Sequence, residues 1–451
     1  MQKNDIVELE ISGVTLQGDG IARLDGVVVF VPGVCPGDVV RALILKVKPN
    51  CAFGKCLAIL SPAPQRVDAS CAVFPRCGGC AFRCLAYCLE LQIKEQEARE
   101  TLRRIGGIEA PVRPILGAAQ PDRYRNKAMM PLAMDADGHI CGGFYTRGSH
   151  RVVRAEDCQL QPEAFLKLSA VVCQWAQDYG CTVYDETTGK GLLRHIYLRQ
   201  AQEGAQIMVC LVINGQGVPR ADVLIKRLRA AHTTVKSILL NHNTDDTNVI
   251  LGARETLLWG KEYISEMLCG LKFALSPQAF FQVNPAQAQR LYALAGEYAG
   301  LTGTQRVLDL YCGTGAVGLT MAARCAELVG VEVAPQAVEN AKQNAQANEI
   351  ANARFLCMDA QAAARRLAAE DWRPDVVLAD PPRKGCEPEL LETIAQMRPA
   401  RMVYISCDPA TLARDLALLA QLGYTTEEIT PVDMFPRTGH VECVAKLTRT
   451  A

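Results

Sequence analysis

Apolar runs and glycine turns alternate along the first 60 residues of the chain. Four such runs follow one another, in the segments VELEISGV, QGDGIARL, GVVVFVPGVCPGD and VVRALILKVKPN. Short strands about 8–12 residues apart, separated by turn residues, are typical of a small β-barrel. Pro62 and Pro64 then interrupt the pattern, as a linker would. The sequence therefore predicts a β-barrel domain over residues 1–60.

The middle of the chain has a less regular pattern. A cysteine-rich patch covers residues 71–88 and precedes the helical run LELQIKEQEARETLRRI, which ends at the typical helix-stop residues Gly106 and Gly107. Strand and helix patterns then mix with weak periodicity from about residue 110 to residue 275. We therefore predict a mixed α+β central domain over residues 61–275.

A regular alternation of strands and helices begins after Leu301. Each of five strand-like segments precedes a helical segment: RVLDLY, LVGVEV, ARFLCMD, PDVVLAD and RMVYIS. This order predicts a parallel, doubly wound sheet, whose right-handed crossovers place the carboxyl ends of all strands along one edge. The fold class is α/β, and residues 276–451 form the C-terminal domain, with its ligand site expected at that edge.

Composition narrows the class of protein. The chain has 451 residues, of which 49% are hydrophobic and 21% charged, as in a folded globular protein. No apolar stretch is long enough to span a bilayer, and the N-terminal MQKNDIVELE carries charge where a signal peptide has its apolar segment. The 20 cysteines are interpreted as reduced thiols, metal ligands or a nucleophile, because disulfide frameworks belong to small exported proteins. We predict a cytoplasmic protein with no membrane partner.

Opposite charges balance over the whole chain, with 48 Lys and Arg against 48 Asp and Glu. No global field attracts phosphate, so a nucleic-acid contact must come from a local basic surface. Residues 113–154 hold seven Arg and Lys against three Asp, a local surplus of four. A solvated basic face would give the same pattern, so the surplus indicates a nucleic-acid contact only together with other features.

A glycine loop follows the first strand of the C-terminal domain. Gly313, Gly315 and Gly318 form the pattern GxGxxG between a strand and a helix, where glycines let the backbone approach a ligand closely. Glu332 ends the next strand, nineteen residues beyond Gly313, where a carboxylate can accept hydrogen bonds from both ribose hydroxyls of an adenosine. The loop and this acid together predict a nucleoside pocket.

Two more acids, Asp359 and Asp380, lie at strand ends of this domain, and Asp309 lies four residues before Gly313. Any one strand-end acid could instead cap a helix, but Glu332, Asp359 and Asp380 in register favour the nucleoside pocket. NAD and S-adenosyl-L-methionine compete for such a pocket. Asp309 favours S-adenosylmethionine, because a carboxylate under the loop suits a sulfonium and an ammonium and would repel a pyrophosphate. The leading reaction is therefore methyl transfer.

Cys407 follows the strand RMVYI in the segment SCDP, just before a helix. A helix N-terminus can lower the pKa of a thiol and favour the thiolate, so we expect a nucleophile there. A buried structural cysteine is the alternative, and only the position at the cofactor edge distinguishes Cys407. Arg383, in DPPRKG, occupies the place at which amino-methylating enzymes with an Asp-Pro-Pro-Tyr loop have a stacking aromatic residue.

Methylation of C5 of uracil needs both a thiolate and a methyl donor, because this carbon is too poor a nucleophile alone. Addition of the thiolate to C6 gives an enolate, C5 takes the methyl group, and a base then removes the C5 proton. Glu442 in GHVECVAKL is the expected base, since an acid in an apolar strand costs free energy unless it is paired or used. His440 is the rival, with a positioning or loop histidine as its alternative interpretation.

The segments DLYCGTGAVGL, VGVEV, DPPRKGC, SCDP and GHVEC, in that order, resemble the bacterial RNA 5-methyluridine methyltransferases, and the resemblance covers the whole chain. It implies a class I, Rossmann-like catalytic domain with Cys407 as nucleophile and Glu442 as proton acceptor. It also implies contacts to S-adenosylmethionine from four residues: Gln282 in FFQVN, Tyr311, Glu332 and Asp380. The role of Gln282 rests on the resemblance alone.

The N-terminal barrel resembles a TRAM domain, an OB-like module, and such folds bind RNA through stacking and a basic groove. Arg41, Lys46 and Lys48 could supply its charge. The segment YRNK is typical of the same enzymes, so we expect Arg125 and Lys127 to contact RNA phosphates.

Three cysteines within ten residues, around two glycines, could fold tightly about a metal centre. The resemblance adds a fourth ligand and implies a 4Fe–4S cluster on four cysteines: Cys71, Cys77, Cys80 and Cys158. Zinc on the same thiolates is the alternative, and Cys84 or Cys88 could compete as a ligand. Because methyl transfer has no redox step, such a cluster would stabilise the fold and position RNA.

The sequence thus predicts a monomeric enzyme that methylates C5 of uridine in RNA, with 23S ribosomal RNA preferred, tRNA as the alternative and DNA excluded. A TRAM domain with a cysteine cluster resembles the ribosomal-RNA branch, whereas the tRNA enzyme of many bacteria lacks both. A catalytically inert RNA-binding or assembly factor would lack the nucleophile or the base. An NAD-dependent oxidoreductase would give Cys407 no role.

Overall fold

A computed structural model describes residues 1–450, with residue 203 described by its backbone alone. The N-terminal sheet has six strands: β1 (Ile6–Glu10), β2 (Gly13–Val14), β3 (Asp19–Leu24), β4 (Val27–Pro32), β5 (Val39–Val47) and β6 (Cys51–Ser61). They lie in the order β1-β5-β6-β4-β3-β2. Alternate residues enclose a core of its own, which includes Val29, Val31, Ala42 and Ile44.

Strand β6 is the element of this sheet that the sequence pattern did not predict. It pairs antiparallel with β5 and parallel with β4. Only its first half alternates buried and exposed positions, because most residues from Leu57 onward are exposed to solvent. The two-residue period that marks a half-buried strand is therefore too short to stand out.

Helix α1 (Tyr87–Gly106) follows the cysteine-rich segment and ends at the predicted glycine pair. Gly107 has a φ of +61°, and its N–H donates to carbonyls of the last turn. Gly106 lies against helix Pro409–Gln421: a Cβ atom on it would come 2.4 Å from the carbonyl oxygen of Ala413. Helix α1 therefore packs closely on the C-terminal domain.

The central segment has a mixed α+β fold. Its sheet has seven strands: β7 (Lys127–Met134), β8 (Ile140–Tyr145), β9 (Val152–Arg154), β10 (Leu193–Ala201), β11 (Gln206–Ile213), β12 (Val235–His242) and β13 (Arg254–Gly260). They lie in the order β13-β12-β11-β10-β7-β8-β9. Helices α2 (Glu163–Asp178) and α3 (Ala221–Ala231) pack on this sheet, and a hairpin of β14 (Ile264–Leu268) and β15 (Leu271–Leu275) follows it.

The C-terminal sheet also has seven strands: β16 (Arg306–Leu310), β17 (Glu327–Glu332), β18 (Ala353–Cys357), β19 (Val376–Ala379), β20 (Arg401–Ser406), β21 (Tyr424–Val432) and β22 (Glu442–Arg449). Their order is β18-β17-β16-β19-β20-β22-β21. Six helices accompany them: α4 (Pro285–Ala299), α5 (Ala316–Leu319), α6 (Pro335–Ala347), α7 (Ala360–Ala369), α8 (Pro388–Met397) and α9 (Pro409–Gln421). Across residues 1–450, none of the helices combines the length and the apolar character needed to cross a bilayer.

This sheet is not parallel throughout, and the sequence prediction was wrong on that point. The strands from β16 to β20 pair in parallel, but β22 lies antiparallel between β20 and β21. The cause is that β21 returns into β22 through a loop and not through a crossover helix. A strand of opposite direction begins where its parallel neighbour ends. Glu442, the first residue of β22, therefore lies at the edge formed by the carboxyl ends of the parallel strands.

Candidate active site

The glycine loop after β16 adopts backbone conformations that suit glycine. Gly313 and Gly315 have φ angles of +54° and +79°, and Tyr311 shares this left-handed region at +61°. A Cβ atom on Gly313 would meet nothing within 4 Å, so the loop presents free backbone at the sheet edge. Glu332, at the end of β17, accepts hydrogen bonds from the N–H groups of Gly313 at 3.1 Å and Ala334 at 2.9 Å. The loop and the acid that predict a nucleoside pocket are therefore in contact.

Asp309 lies beneath the same loop and is only 2% exposed. Its Oδ2 accepts a hydrogen bond from the Gly318 N–H at 3.0 Å. A Cβ atom on Gly318 would come 2.5 Å from this oxygen, so the third glycine of the motif lets the backbone reach the carboxylate. Burial raises the pKa of Asp309 to about 7 against the effect of this hydrogen bond. A cation bound beside the loop would favour its charged form.

The other two strand-end acids differ in their surroundings. Asp359 is exposed and caps α7, where its Oδ1 accepts hydrogen bonds from the N–H groups of Gln361 and Ala362. Its contacts are therefore those of the helix-cap alternative. Asp380 follows β19 and is partly buried, and this burial raises its pKa to about 7. Within residues 1–450, no group donates a hydrogen bond to the Asp380 carboxylate.

Cys407 and Glu442 meet because β20 and β22 are antiparallel neighbours. The last pair of the ladder is Ser406 with Cys443, so the next position along each strand brings Cys407 opposite Glu442. Cys407 is partly exposed, whereas Glu442 is 5% exposed. Two residues from separate sequence motifs, predicted as nucleophile and base, therefore lie side by side at the sheet edge.

The thiol of Cys407 does not have the lowered pKa that the sequence suggested. Burial, and then the neighbouring Glu442, raise its pKa to about 11, while Arg383 opposes the rise. The N–H groups of the first turn of α9 are already bound by the side chain of Asp408, which accepts two of them at 2.8 and 3.3 Å. The helix N-terminus is therefore satisfied by its own cap and is not available to the thiolate.

Glu442 and His440 are the two candidate bases near Cys407. Burial raises the pKa of Glu442 to about 8, with Asp380 adding to the rise and Arg383 opposing it. No hydrogen bond reaches its carboxylate from the described part of the chain. Burial and nearby cations lower the pKa of His440, whose ring lies 5.9 Å from that of Phe435. An acid with free oxygens and a pKa near neutrality is the better proton acceptor.

A groove of about 610 Å³ leads from the N-terminal sheet to Cys407. Its walls come from four parts of the chain: the N-terminal sheet with its loop at Gln17 and Gly18, the cysteine-rich segment, the central segment with Arg125 and Arg147, and the C-terminal domain. The C-terminal domain contributes Arg383, Cys407 and the stretch 438–441. A chain-like substrate can therefore contact the N-terminal sheet while one of its units reaches the thiol.

Most of the basic residues between 113 and 154 are used within the fold. Four of the seven form ion pairs with acids of the protein: Arg113 with Glu428, Arg123 with Asp157, Arg147 with Asp19, and Arg154 with Asp135 and Glu156. The Arg147–Asp19 pair has two contacts, at 2.6 and 2.7 Å, and joins the central segment to the N-terminal sheet. The predicted basic surface is therefore smaller than the sequence surplus suggests.

The two residues predicted to contact RNA are both half-buried but differ in their surroundings. Arg125 lines the groove, and its Nε is buried without a hydrogen-bond partner in residues 1–450. Lys127 is half-buried, and burial together with Arg199 and Arg125 lowers its pKa to about 8. Arg125 is therefore the better placed of the two for an anionic ligand.

Gln282 lies at the contact between two motifs that the family resemblance singled out. Its carbonyl accepts a hydrogen bond from the side chain of Asn126 at 3.0 Å, and the next carbonyl, of Val283, accepts from the Asn126 N–H at 2.8 Å. The segments YRNK and FFQVN are thus joined directly. In the described part of the chain the Gln282 amide makes no hydrogen bond, so it is free to bind a ligand.

One cavity collects the four cysteines that the resemblance selected, which we call the four-cysteine site: Cys71, Cys77, Cys80 and Cys158. Burial raises the pKa of Cys80 to about 12 and also raises those of Cys77 and Cys158. Among the described residues, no three of these sulfurs lie within 4.8 Å of one another. The cysteines converge but remain widely spaced.

The two competing cysteines lie outside this cavity. Cys84 is 1% exposed, and its Sγ lies 3.7 Å from the carbonyl oxygen of Val34. Cys88 is exposed on α1. The tertiary structure therefore groups Cys158, distant in sequence, with the cysteine-rich segment and separates two nearer cysteines from it.

Comparison with known proteins gives matches along the whole chain. Residues 226–450 match the family model described as tRNA (Uracil-5-)-methyltransferase, and residues 2–57 match that of the TRAM domain. An RNA methyltransferase of Halalkalibacterium halodurans is 43% identical over 99% of this chain and 98% of its own length. One of Clostridium acetobutylicum is 40% identical over 100% of this chain and 98% of its own. The chain belongs to the RNA 5-methyluridine methyltransferase family.

A solved structure extends this result to the fold. Pyrococcus abyssi tRNA (uracil-54, C5)-methyltransferase, in complex with S-adenosyl-L-homocysteine, matches 98% of this family member and 100% of its own chain, with a TM-score of 0.77 and 26% identity. The predicted fold is confirmed: a class I methyltransferase domain follows an N-terminal TRAM domain. This member of the family is an S-adenosylmethionine-dependent RNA uracil-C5 methyltransferase.

Some neighbours of the reactive pair do not stand out in the sequence of this methyltransferase. The motif DPPR suggests Arg383 only as a replacement for an aromatic ring, yet its charge lowers the pKa of both Cys407 and Glu442. Asp408 looks like an ordinary residue beside a nucleophile, yet it caps α9. The sequence does carry a signal for Arg383: an arginine stands where the Asp-Pro-Pro-Tyr loop has its aromatic residue.

Proposed function

We propose that this enzyme methylates C5 of a uridine in 23S ribosomal RNA through a covalent intermediate, with Cys407 as nucleophile and Glu442 as proton acceptor. The observation that carries the proposal is the register of β20 and β22, which brings these two side chains together at the cofactor edge. The groove between Cys407 and the TRAM domain supports a path for an RNA strand.

The reaction begins when the Cys407 thiolate adds to C6 of the uracil ring, and the electrons of the C5–C6 double bond move onto O4 as an enolate. C5 then takes the methyl group from the sulfonium, which leaves as a neutral thioether. The Glu442 carboxylate removes the proton on C5, the double bond forms again, and the bond between C6 and sulfur breaks. Cys407 returns as a thiolate, and the uracil ring carries the new methyl group.

The charges around the pair suit these steps. With a pKa of about 11, Cys407 is a thiol at neutral pH in the free protein, so its proton must pass to solvent water as the ring binds. Arg383 favours the charged form of both groups and is the nearby cation for the thiolate. The pKa of Glu442, about 8, allows this acid to retain the C5 proton near neutral pH.

The cofactor edge is proposed to hold S-adenosylmethionine, which supplies an electrophilic methyl group when bound. Glu332 would accept the ribose hydroxyls, and Gly313 and Gly315 would let the backbone approach the ligand. The Asp309 carboxylate is proposed to attract the positively charged part of S-adenosylmethionine. Four other residues remain proposed contacts from the sequence: Gln282, Tyr311, Asp359 and Asp380. Free backbone at Gly313 and its contact with Glu332 support this assignment.

RNA phosphates are proposed to contact Arg125, with Lys127 as the weaker candidate. Arg125 lines the groove and has a buried Nε without a partner in residues 1–450. Lys127 is half-buried with a pKa of about 8, so part of its population is neutral near that pH. An adjacent phosphate would favour its charged form.

The preference for ribosomal RNA rests on the TRAM domain together with the four-cysteine site, a combination that resembles the ribosomal-RNA branch of the family. tRNA is the second candidate. It is favoured by the Pyrococcus abyssi enzyme, which is described as a tRNA methyltransferase and matches 98% of this chain.

Mass spectrometry of ribosomal and transfer RNA from a strain that lacks the gene tests the substrate. We expect 5-methyluridine to disappear from a fragment of 23S RNA and to return with the wild-type gene but not with Cys407→Ala. Loss of 5-methyluridine from tRNA alone, with 23S RNA unchanged, would assign the enzyme to the second candidate.

We also propose that the four-cysteine site holds a 4Fe–4S cluster. Four thiols that converge on one cavity are suitable ligands. The same four thiols would also suit tetrahedral zinc, and the preference for the cluster rests on the family resemblance. The cluster would link Cys158 to the cysteine-rich segment and thereby stabilise the fold.

Metal analysis of protein purified without air tests this assignment. We expect about four irons per chain and broad absorbance near ~400 nm. Cys158→Ser should lose the iron, and Cys88→Ser, which changes an exposed cysteine outside the cavity, should keep it. A colourless protein with one zinc per chain would reject the cluster, and iron loss only in Cys88→Ser would transfer the ligand role.

A further inference from the structure

The loop of residues 433–441 joins β21 to β22 and ends directly before Glu442. Its last four residues line the groove, so a displacement of the 433–441 loop would move the active-site wall together with the proposed base. The loop also touches the TRAM domain: a Cβ atom on Gly439 would lie 1.7 Å from the carbonyl oxygen of Leu16. Contacts from other parts of the chain therefore determine the position of Glu442 at the start of β22.

A buried lysine anchors the start of this loop. The ammonium of Lys94, on α1, lies 2.7 Å from Asp433, 2.8 Å from Glu90 and 3.2 Å from the carbonyl oxygen of Phe435. The side chains of Lys94, Glu90 and Asp433 are all 0% exposed. The Tyr87 hydroxyl donates to the second oxygen of Asp433 at 2.6 Å. One cation between two buried carboxylates leaves a negative charge that needs a further partner.

Arg437 supplies that partner from the middle of the loop. Its guanidinium lies 3.6 Å from Glu90 and donates to the Leu85 carbonyl at 3.1 Å, and its backbone N–H donates to Glu90 at 2.7 Å. Its carbonyl accepts hydrogen bonds from the N–H groups of Ala81 at 2.8 Å and Phe82 at 3.2 Å. Arg437 has a φ of +69°, a conformation that a non-glycine residue keeps only when its contacts enforce it.

These contacts connect the loop to the four-cysteine site by two short routes. The two N–H groups that bind the Arg437 carbonyl belong to the residues directly after Cys80. In the second route, the guanidinium of Arg83 lies 4.0 Å from the Cys80 sulfur and pairs with Asp122, which lies 3.7 Å from the Nε of Arg437. Both routes end on Arg437.

We propose that Arg437 is a positioning residue that ties the 433–441 loop, and with it Glu442, to the backbone around the four-cysteine site. This inference rests on the proposed role of Glu442 as proton acceptor and on the proposed role of Cys80 as a metal ligand. While Cys80 is held as a ligand, the segment after it presents two aligned N–H groups to Arg437. If the segment after Cys80 is no longer held, the contacts that maintain the positive φ of Arg437 are lost. The 433–441 loop then becomes more mobile next to Glu442.

Hydrogen exchange measures this coupling without RNA or cofactor. In Cys80→Ser and Cys158→Ser, amides of residues 437–442 are expected to exchange on the order of tenfold faster than in the wild type. Cys88→Ser, the matched change outside the site, should leave this segment unchanged, and β16 and β17 should be unchanged in every variant. Wild-type exchange of the segment in both Cys80→Ser and Cys158→Ser would overturn the coupling.

Arg437→Gln tests the residue itself. It is expected to keep the metal content of the wild type while residues 437–442 exchange faster. With RNA, kcat should fall on the order of tenfold at a similar KM, and a methylated protein–RNA adduct should accumulate because the base is displaced. Arg437→Lys, which keeps the charge, should recover most of kcat. Arg366→Gln, on the exposed face of α7 where Arg366 pairs with Glu370, is the control variant.

The outcomes separate this inference from the proposed function. If the wild-type enzyme forms no 5-methyluridine in any RNA, the proposed function is rejected. Hydrogen exchange still tests whether Arg437 positions the 433–441 loop. If the wild type methylates RNA but Arg437→Gln matches Arg366→Gln in exchange and kcat, the positioning role alone fails. A loss of metal in Arg437→Gln would also overturn it, because the residue would then support the cysteine site directly.

Discussion

Two groups of acids share the carboxyl edge of the catalytic sheet, and they differ in what binds their oxygens. On the cofactor side, Glu332 and Asp359 each accept two backbone hydrogen bonds, and Asp309 accepts one. Beside Cys407, Glu442 and Asp380, which is also a proposed cofactor contact, accept none from residues 1–450. The first group is held in place by the protein, whereas the second keeps its lone pairs free.

The difference indicates how one sheet edge can serve two purposes. Backbone hydrogen bonds orient an acid before the ligand arrives, which suits the recognition of a nucleoside. A buried acid without such bonds is costly to ionise, so it is suited to gain and lose a proton. Burial raises the pKa of Glu442 to about 8, as expected for that second use.

The largest effect is expected on the reactive side, where the proposed mechanism has Cys407 act before methyl transfer and Glu442 after it. Cys407→Ala should abolish both the RNA adduct and the product. Glu442→Gln should still add to C6 and methylate C5, but it cannot remove the C5 proton. A protein–RNA adduct that carries the new methyl group should therefore survive denaturing electrophoresis and be identified by mass spectrometry.

Two controls accompany this experiment. The double variant Cys407→Ala, Glu442→Gln should form no adduct, and RNA with 5-fluorouridine should trap the wild-type enzyme because its C5 cannot lose a proton. His440→Ala changes the rival base in the same groove. If the methylated adduct accumulates in His440→Ala and not in Glu442→Gln, the assignment of the base is wrong.

On the cofactor side, Glu332→Ala removes the proposed ribose acceptor. Affinity for S-adenosylhomocysteine should fall roughly ten- to a hundredfold, as for the loss of a charge-assisted hydrogen bond of about 1.5–3 kcal/mol, and calorimetry measures it. Asp359→Ala is the comparison, because this other proposed contact already caps α7 and is expected to lose less affinity. An equal loss of affinity in Asp359→Ala would rank the two acids alike, and unchanged binding in folded Glu332→Ala would remove Glu332 from the pocket.

Arg383→Gln removes the cation shared by the reactive pair. Arg383 lowers the pKa of Cys407 and of Glu442, so its loss should raise both. The acid limb of kcat/KM against pH should move upward, and activity on that limb should fall about tenfold for every pH unit that the limb moves. Lys384→Gln is the control, since Lys384 is the next residue and pairs with Glu387 in solvent. If the acid limb lies at the same pH in Arg383→Gln and Lys384→Gln, Arg383 does not set the pKa values of the reactive pair.

The smallest effect is on stability, and it needs neither RNA nor cofactor. The folded protein holds the Glu442 proton up to a pKa of about 8, against 4.5 for an ordinary glutamate, so it binds more protons than the unfolded chain between these values. Wild-type stability should therefore fall as pH rises through this window. Glu442→Gln should lessen that fall and raise the thermal midpoint at pH 8 by on the order of a few degrees.

A matched variant is expected not to raise the thermal midpoint. Glu332→Gln replaces a carboxylate that accepts two backbone hydrogen bonds with a weaker, neutral acceptor, so the midpoint at pH 8 should drop or stay unchanged. Equal pH dependence of the midpoint in the wild type and Glu442→Gln would mean that Glu442 is not a buried proton site.

The parts that could be predicted are those whose determinants are neighbours in sequence. The glycine loop, the strand before it and Glu332 after the next strand follow the local rules of a strand, a tight turn and a helix. The end of α1 at Gly106 and Gly107 follows from the same local chemistry. The family resemblance, carried by ordered motifs, likewise predicted the TRAM domain and the class I fold, which the comparisons confirm.

The parts that failed depend on residues far apart in the chain. The basic surplus between 113 and 154 looked like a surface for phosphate, but Asp19 and Glu428, from the two ends of the chain, bind two of its arginines. The pKa of Cys407 was expected to be lowered, but Asp408 occupies the helix terminus and Glu442 lies opposite the thiol. Neither neighbour can be inferred from a local pattern.

By itself, the sequence determined which chemical groups the enzyme carries and in what order: a glycine loop, strand-end acids, a cysteine after a strand and an acid in an apolar strand. Only the tertiary structure decided which of them meet. The antiparallel β22 turns Glu442 toward the edge where Cys407 follows β20, and Arg437 links that edge to the backbone beside the four-cysteine site. Local propensities act over a few residues, whereas strand direction and buried charge are settled by the packing of the whole chain.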